Sequence, residues 1–189
     1  MIAARTLLCL LLLAHVAVVA EETSGPVGSG DAAQPPATQP ARIEHDGQAF
    51  ELARSSNDRN VLTDEYLISG ETLADWTQLV TVQRLKQPTP ARIDAFLAYF
   101  SKRVAGDGAT FQVLKETASA GVFVVRFPRS DTNEEQVMIC LVLAGSGEKP
   151  HLDIVQYAIK PTRLPVDVVE MRIKSWRDRF LGQVSPRAQ

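Results

Sequence analysis

The chain has 189 residues, 45% of them hydrophobic and 22% charged, with 20 basic against 22 acidic side chains. The charges are interspersed without a run, which argues against nucleic acid as a partner, since that needs a basic stripe or patch. The same balance argues against adsorption to anionic lipid, and the length suits one domain around one core.

At the N-terminus, Arg5 precedes a 14-residue apolar stretch, Leu7 to Ala20, that ends Val18-Val19-Ala20 before Glu21-Glu22. A positive start, a short hydrophobic stretch and small residues at its exit form the pattern of a secretory signal peptide. The expectation is a periplasmic or secreted protein cleaved near Ala20, with no stable membrane insertion. A spanning anchor needs about 20 apolar residues, and here His15 interrupts a shorter stretch. A lipid anchor on Cys9 fails because Leu8 stands where a small residue is required. Cleavage leaves 19 basic and 22 acidic residues, a net charge of −3.

Residues 21–41 (EETSGPVGSGDAAQPPATQPA) are too poor in large apolar side chains to offset their ordering entropy and read as a disordered linker. Residues 42–184 then form a single domain and 185–189 a flexible tail. Within the domain, Gln48 to Ala53 and Val61 to Ile68 read as strands, with the turn formers Ser55 to Asn60 between them as a hairpin. Gly70 to Trp76 reads as a short helical turn, and the β-branched run Leu79 to Leu85 as a third strand. Pro88 and Pro90 open a helix for which Thr89 is the expected N-cap. Ile93, Phe96, Leu97, Phe100 and Val104 give it one apolar stripe, and Gly106-Asp107-Gly108 ends it.

Four strands follow: Thr110 to Glu116, Val122 to Phe127, Gln136 to Ala144 and Leu152 to Ile159, with turns at Ser119-Ala120-Gly121 and at 145–149. A last helix spans Val166 to Leu181, with Val169, Ile173, Trp176 and Phe180 on one face and Arg177 and Arg179 in its final turn. No βαβ rhythm appears, so the fold class is α+β, a mainly antiparallel sheet of six to seven strands with two helices. The strand at 137–143 is apolar at both parities, so both of its faces must be covered. Helices on opposite faces are the preferred solution, and a homodimer burying one face is the other.

Little in this chain points to catalysis, and the expectation is a protein that is not an enzyme and carries no cofactor or metal. With His15 lost on cleavage, His45 and His151 are the remaining histidines, and no His or Cys spacing offers a zinc ligand set. Cys140, the one cysteine left, lies in an apolar run and reads as a buried thiol rather than a nucleophile or intermolecular bridge. His151 and Asp153 share a strand parity and read as a strand-edge polar pair before a catalytic dyad. Gly145-Ser146-Gly147 lacks the Gly-x-Ser-x-Gly pattern of a nucleophile elbow, and Gly106-x-Gly108 closes a helix where a dinucleotide fingerprint would open one.

The segment EYLISGETLADWTQLVTVQ, residues 65–83, stands out. It resembles a group of small uncharacterised exported bacterial proteins in which an extended segment runs into Gly-Glu, a Trp-Thr pair and a Val/Thr-rich strand. That resemblance implies location and fold and no catalytic residues; by architecture, the PsbP-like binding and assembly domains are an analogy. The simple reading of the motif is structural, with Trp76 plugging the core. The functional alternative has Trp76 with Glu71 or Arg84 lining a groove. The leading expectation is therefore a non-catalytic envelope binding or assembly module for an unidentified protein or small ligand. A self-associating structural protein is the second reading, and a small periplasmic hydrolase built on His151 and Asp153 the third.

Overall fold

A computed structural model describes residues 41–86, 92–131, 133–145 and 150–184. The expected signal peptide, nearly all of the linker, the tail, Thr89 with Pro90, and Ser146 with Gly147 lie outside the described residues. The elements are β1 (Arg42–His45), β2 (Gln48–Asn57), β3 (Val61–Ile68), β4 (Gln78–Lys86), α1 (Ile93–Ala105), β5 (Thr110–Glu116), β6 (Ala120–Phe127), β7 (Gln136–Gly145), β8 (His151–Ile159), a 3-10 turn at Pro161–Arg163, and α2 (Val166–Val184).

All eight strands form one antiparallel sheet in the order β1-β2-β3-β4-β8-β7-β6-β5. It is two four-strand meanders joined where β4 pairs with β8, Gln78 opposite Ile159 through to Lys86 opposite His151. Eight strands replace the expected six to seven. The addition is β1, whose sequence Arg-Ile-Glu-His carries one apolar residue and gives no alternation signal. Its pairing with β2 comes from the turn: Asp46 and Gly47 have φ of 51° and 70°, the positive pair that a two-residue hairpin loop requires. The expected turn at 55–60 is shorter, because β2 continues to Asn57 with a bulge between Leu52 and Arg54.

Three local expectations change. Gly70 to Trp76 is a tight extended turn, not a helical one: Thr72 and Asp75 exchange backbone hydrogen bonds of 3.3 and 3.0 Å. Helix α1 starts at Ile93 with extended Arg92 as its cap residue, too late for Thr89 to cap it or for Pro90 to lie in its first turn. Helix α2 runs to Val184, three residues past expectation, so Arg177 and Arg179 precede its last turn, which has no basic residue.

The helices cover opposite faces. Met138, Cys140 and Val142 of β7 share a core with α1, and Val137, Ile139 and Leu141 share the other with α2. Alternate residues of a strand point to opposite faces, so the doubly apolar strand is covered within one chain, as preferred from its sequence. Cys140 is fully buried on the α1 side. Helix α1 delivers Phe96 and Phe100 against Phe123 of β6, each such buried ring contributing roughly 1.5–3 kcal/mol. On the other face Trp176 of α2 stacks on Tyr157 of β8 with centroids 4.9 Å apart.

Candidate functional site

Glu71 and Trp76 lie in one loop, where the chain leaves β3 and re-enters at β4. Gly70, at φ 89°, makes the sharp exit, a conformation costly for residues with a Cβ. The Glu71 carboxylate then accepts hydrogen bonds from the Thr77 backbone N–H at 3.1 Å and from the Thr77 hydroxyl. This closes the loop and drives Trp76 into the α1-side core, where it is 4% exposed. The ammonium of Lys160 sits 4.5 Å from the indole centroid, and is held 3.1 Å from Glu134. Arg163 pairs with both Glu134 and Asp75, and these cations hold both carboxyls below the usual carboxylate range. The Gly-Glu-x4-Trp-Thr segment is thus a clasp whose parts hold one another.

Arg84 does not join them. It points to the α2 side of the sheet, six residues further along β4 than Gln78, roughly 20 Å at strand rise. There its guanidinium donates to both oxygens of Asp153, at 2.7 and 3.2 Å, which raises the Arg84 pKa. His151 Nε2 lies 3.5 Å from Asp153 Oδ2. The expected His151–Asp153 pair exists, but Arg84 takes both carboxylate oxygens that would orient the imidazole as a base. Cys140 is buried on the other face. Trp76, Glu71 and Arg84 do not line a common groove.

Two arrangements emerge that the sequence did not suggest. On the α1 side, where α1 packs against β5, β6 and β7, the neighbouring strands carry a buried polar row. Gln156 Nε2 donates to Gln83 Oε1 at 2.9 Å, and Gln83 Nε2 donates to Thr63 Oγ1 at 3.3 Å. Beside it Glu65, with no exposed side-chain area, pairs with Arg54; burial pushes its carboxyl pKa up, and Arg54 opposes that. The cavity among Trp76, Thr81, Gln83, Gln136 and Gln156 is about 10 Å³, room for one water molecule.

The second is larger. Between α2 and the ends of β6 and β7 lies a groove of about 490 Å³. Its floor is Val137, Val169 and Ile173, and Val166 stands at its mouth, 73% exposed. Arg126, Lys174 and Arg177 face Glu135 and Glu170 around the rim. Lys174 and Arg177 share Asp178, at 2.6 and 3.4 Å, whereas Arg126 has no ion pair among the described residues. Four separate segments build this groove, and only the strand order brings them together; the one local hint is Val166, an apolar residue following Pro165 at a helix start.

Among the described residues no group of three or more His, Cys, Asp or Glu side chains could hold a metal ion. No helix among them is long and apolar enough to cross a membrane. A protein-family model matches residues 37–139, more than half of the chain. No curated protein and no solved structure matches.

Proposed function

We propose that this chain, which belongs to the uncharacterised bacterial family matched over residues 37–139, is a non-catalytic exported envelope protein that binds a partner protein along α2. The export part rests on the charged start, apolar stretch and small-residue exit of residues 1–20. The binding part rests on one observation, the 490 Å³ groove with an apolar floor and a charged rim. Its size falls in the range of clefts that hold a small-molecule ligand, about 300–1,000 Å³, which is also room for a few apolar side chains of a partner segment. With Lys174 and Arg177 both facing Asp178, the charge left over is that of Arg126, which has no ion pair among the described residues. It favours a segment that presents apolar side chains to Val137, Val169 and Ile173 and an acidic one beside Arg126.

The test is crosslinking capture from envelope fractions, run with the native chain and with Val166→Glu, Arg126→Glu and Glu170→Lys. All three positions are exposed, so the fold is retained. A partner lost with Val166→Glu, weakened by Arg126→Glu and strengthened by Glu170→Lys carries the proposal. Capture indifferent to all three would reject the groove, and capture of the chain by itself would return the self-associating reading.

A further inference from the structure

Strand β1 is held from two sides. Within the sheet its partner is β2, from Arg42 opposite Glu51 to His45 opposite Gln48. From the α2 side, three side chains one turn apart reach down to it. Arg172 donates to the Asp46 carbonyl at 3.1 Å, Ser175 Oγ lies 2.9 Å from His45 Nε2, and Arg179 donates to the Glu44 carbonyl at 3.2 Å. The His45 ring packs 4.3 Å from the Trp176 ring, over which the Arg179 guanidinium also lies at 5.1 Å. The imidazole is therefore wedged between an indole and two guanidinium groups.

We propose that β1 is an acid-released latch: protonation of His45 between Arg172 and Arg179 undocks residues 42–47 from α2 and β2 while the rest of the sheet and both helices stay folded. The charged groups around the ring are Arg172 and Arg179 from α2, and Glu44 and Asp46 from β1 and its turn, with neutral Gln48 in register on β2. Arg172 is itself 3.6 Å from the Asp46 carboxylate and Glu44 is paired with Arg42 at 2.9 Å, so both acids already have cations to face. A second positive charge on the same indole also competes with Arg179 for its π face.

Burial, and then Arg179, lower the His45 pKa, with Asp46 and Ser175 working the other way. The docked state therefore prefers the neutral ring. Its contribution is fully present above the unfolded histidine value of about 6.5 and is lost as pH falls below it. Each unit of difference between docked and released pKa shifts the equilibrium about tenfold. Short edge elements with few contacts are the ones that open without global unfolding. Release of residues 42–47 adds about 20 Å of extended reach to the chain before them.

Hydrogen exchange read by mass spectrometry at pH 7.5 and pH 5 tests this, using the ratio of protection in residues 42–52 to that in 152–159, which cancels the intrinsic pH dependence. In the native chain the ratio falls about threefold or more at pH 5, and in His45→Gln it is the same at both pH values. An unchanged ratio in the native chain, or an equal fall in His45→Gln, overturns the latch. The pH of half release must also match the NMR titration midpoint of the His45 ring in the native chain. A mismatch of more than about one pH unit overturns it without reference to any variant.

Discussion

Beneath α1 the sheet is filled by a cluster of phenylalanines, Phe96, Phe100, Phe111 and Phe123, with neighbouring centroids 5.1 to 6.4 Å apart. Beneath α2 the same job falls to Trp176, Tyr157, Phe50 and His45, rings of which three carry polar atoms. The phenylalanine cluster itself has nothing to satisfy but area and shape, and the polar groups on that side, Thr63, Glu65, Gln83 and Gln156, lie on the neighbouring strands β3, β4 and β8. The second core must also place donors and acceptors: the Tyr157 hydroxyl donates to Gln78 Oε1 at 2.6 Å and His45 meets Ser175, while the buried Tyr66 hydroxyl of the same core has no partner among the described residues. Polar rings fix an arrangement more narrowly than apolar ones because a misplaced partner leaves a buried group unpaired. Through His45 they also make that cluster answer to pH, whereas the phenylalanine cluster carries no titratable group of its own.

The comparison can be broken most forcefully at Phe100. Phe100→Ala should destabilise the fold by about 3–5 kcal/mol, read as a lower urea midpoint, with the same loss at pH 5 and pH 8. A pH-dependent loss would mean that the two cores are not separable. Tyr157→Phe removes one oxygen and leaves Gln78 Oε1 buried without its donor, at a cost of about 1–2 kcal/mol by the same measurement. Burial keeps that phenol neutral by pushing its pKa well above the usual value, so this loss too should be flat with pH. A neutral Tyr157→Phe would show that the second core is held by area alone. Arg84→Ala, outside both cores, removes a half-exposed pair with Asp153 and should cost about 1 kcal/mol or less. The cost should shrink further in high salt, and a salt-insensitive loss would assign Arg84 a packing role.

Period-two and period-3.6 patterns read correctly wherever a face is wholly apolar. That is why the α1 stripe and the doubly covered β7 were legible in sequence, whereas β2, with polar residues beyond Ala53, was read four residues short. They fail where the signal is carried by one or two residues. The Asp46-Gly47 turn announces β1 by its backbone preference alone, and Arg42 to His45 offers no hydrophobic rhythm to support it. The clasp was legible as a motif but not as a geometry, since Glu71 and Thr77 find each other only through the bend at Gly70. Gln83 and Gln156 alternate with apolar neighbours as outward-facing residues do, yet they are buried. Alternation gives the face of a strand and says nothing about which part of that face is covered. The groove along α2 was invisible because Arg126, Glu135, Pro161 and Val166 become neighbours only after the sheet order is known.

The junction between β4 and β8 has a consequence for how the molecule assembles. Within each meander every strand pairs with the next in the chain, so each half can form by short loop closures. The two halves share β4–β8 as their one strand pairing, between residues about 70 positions apart in the sequence. As synthesis runs from the N-terminus, β4 is complete while β8 is still missing. Its inner edge, rich in β-branched and aliphatic residues, then exposes unpaired backbone groups. An edge of that kind is a template for pairing with another chain. The first meander is therefore most vulnerable to aggregation during the interval before β8 is made, and a holding chaperone would act in that interval.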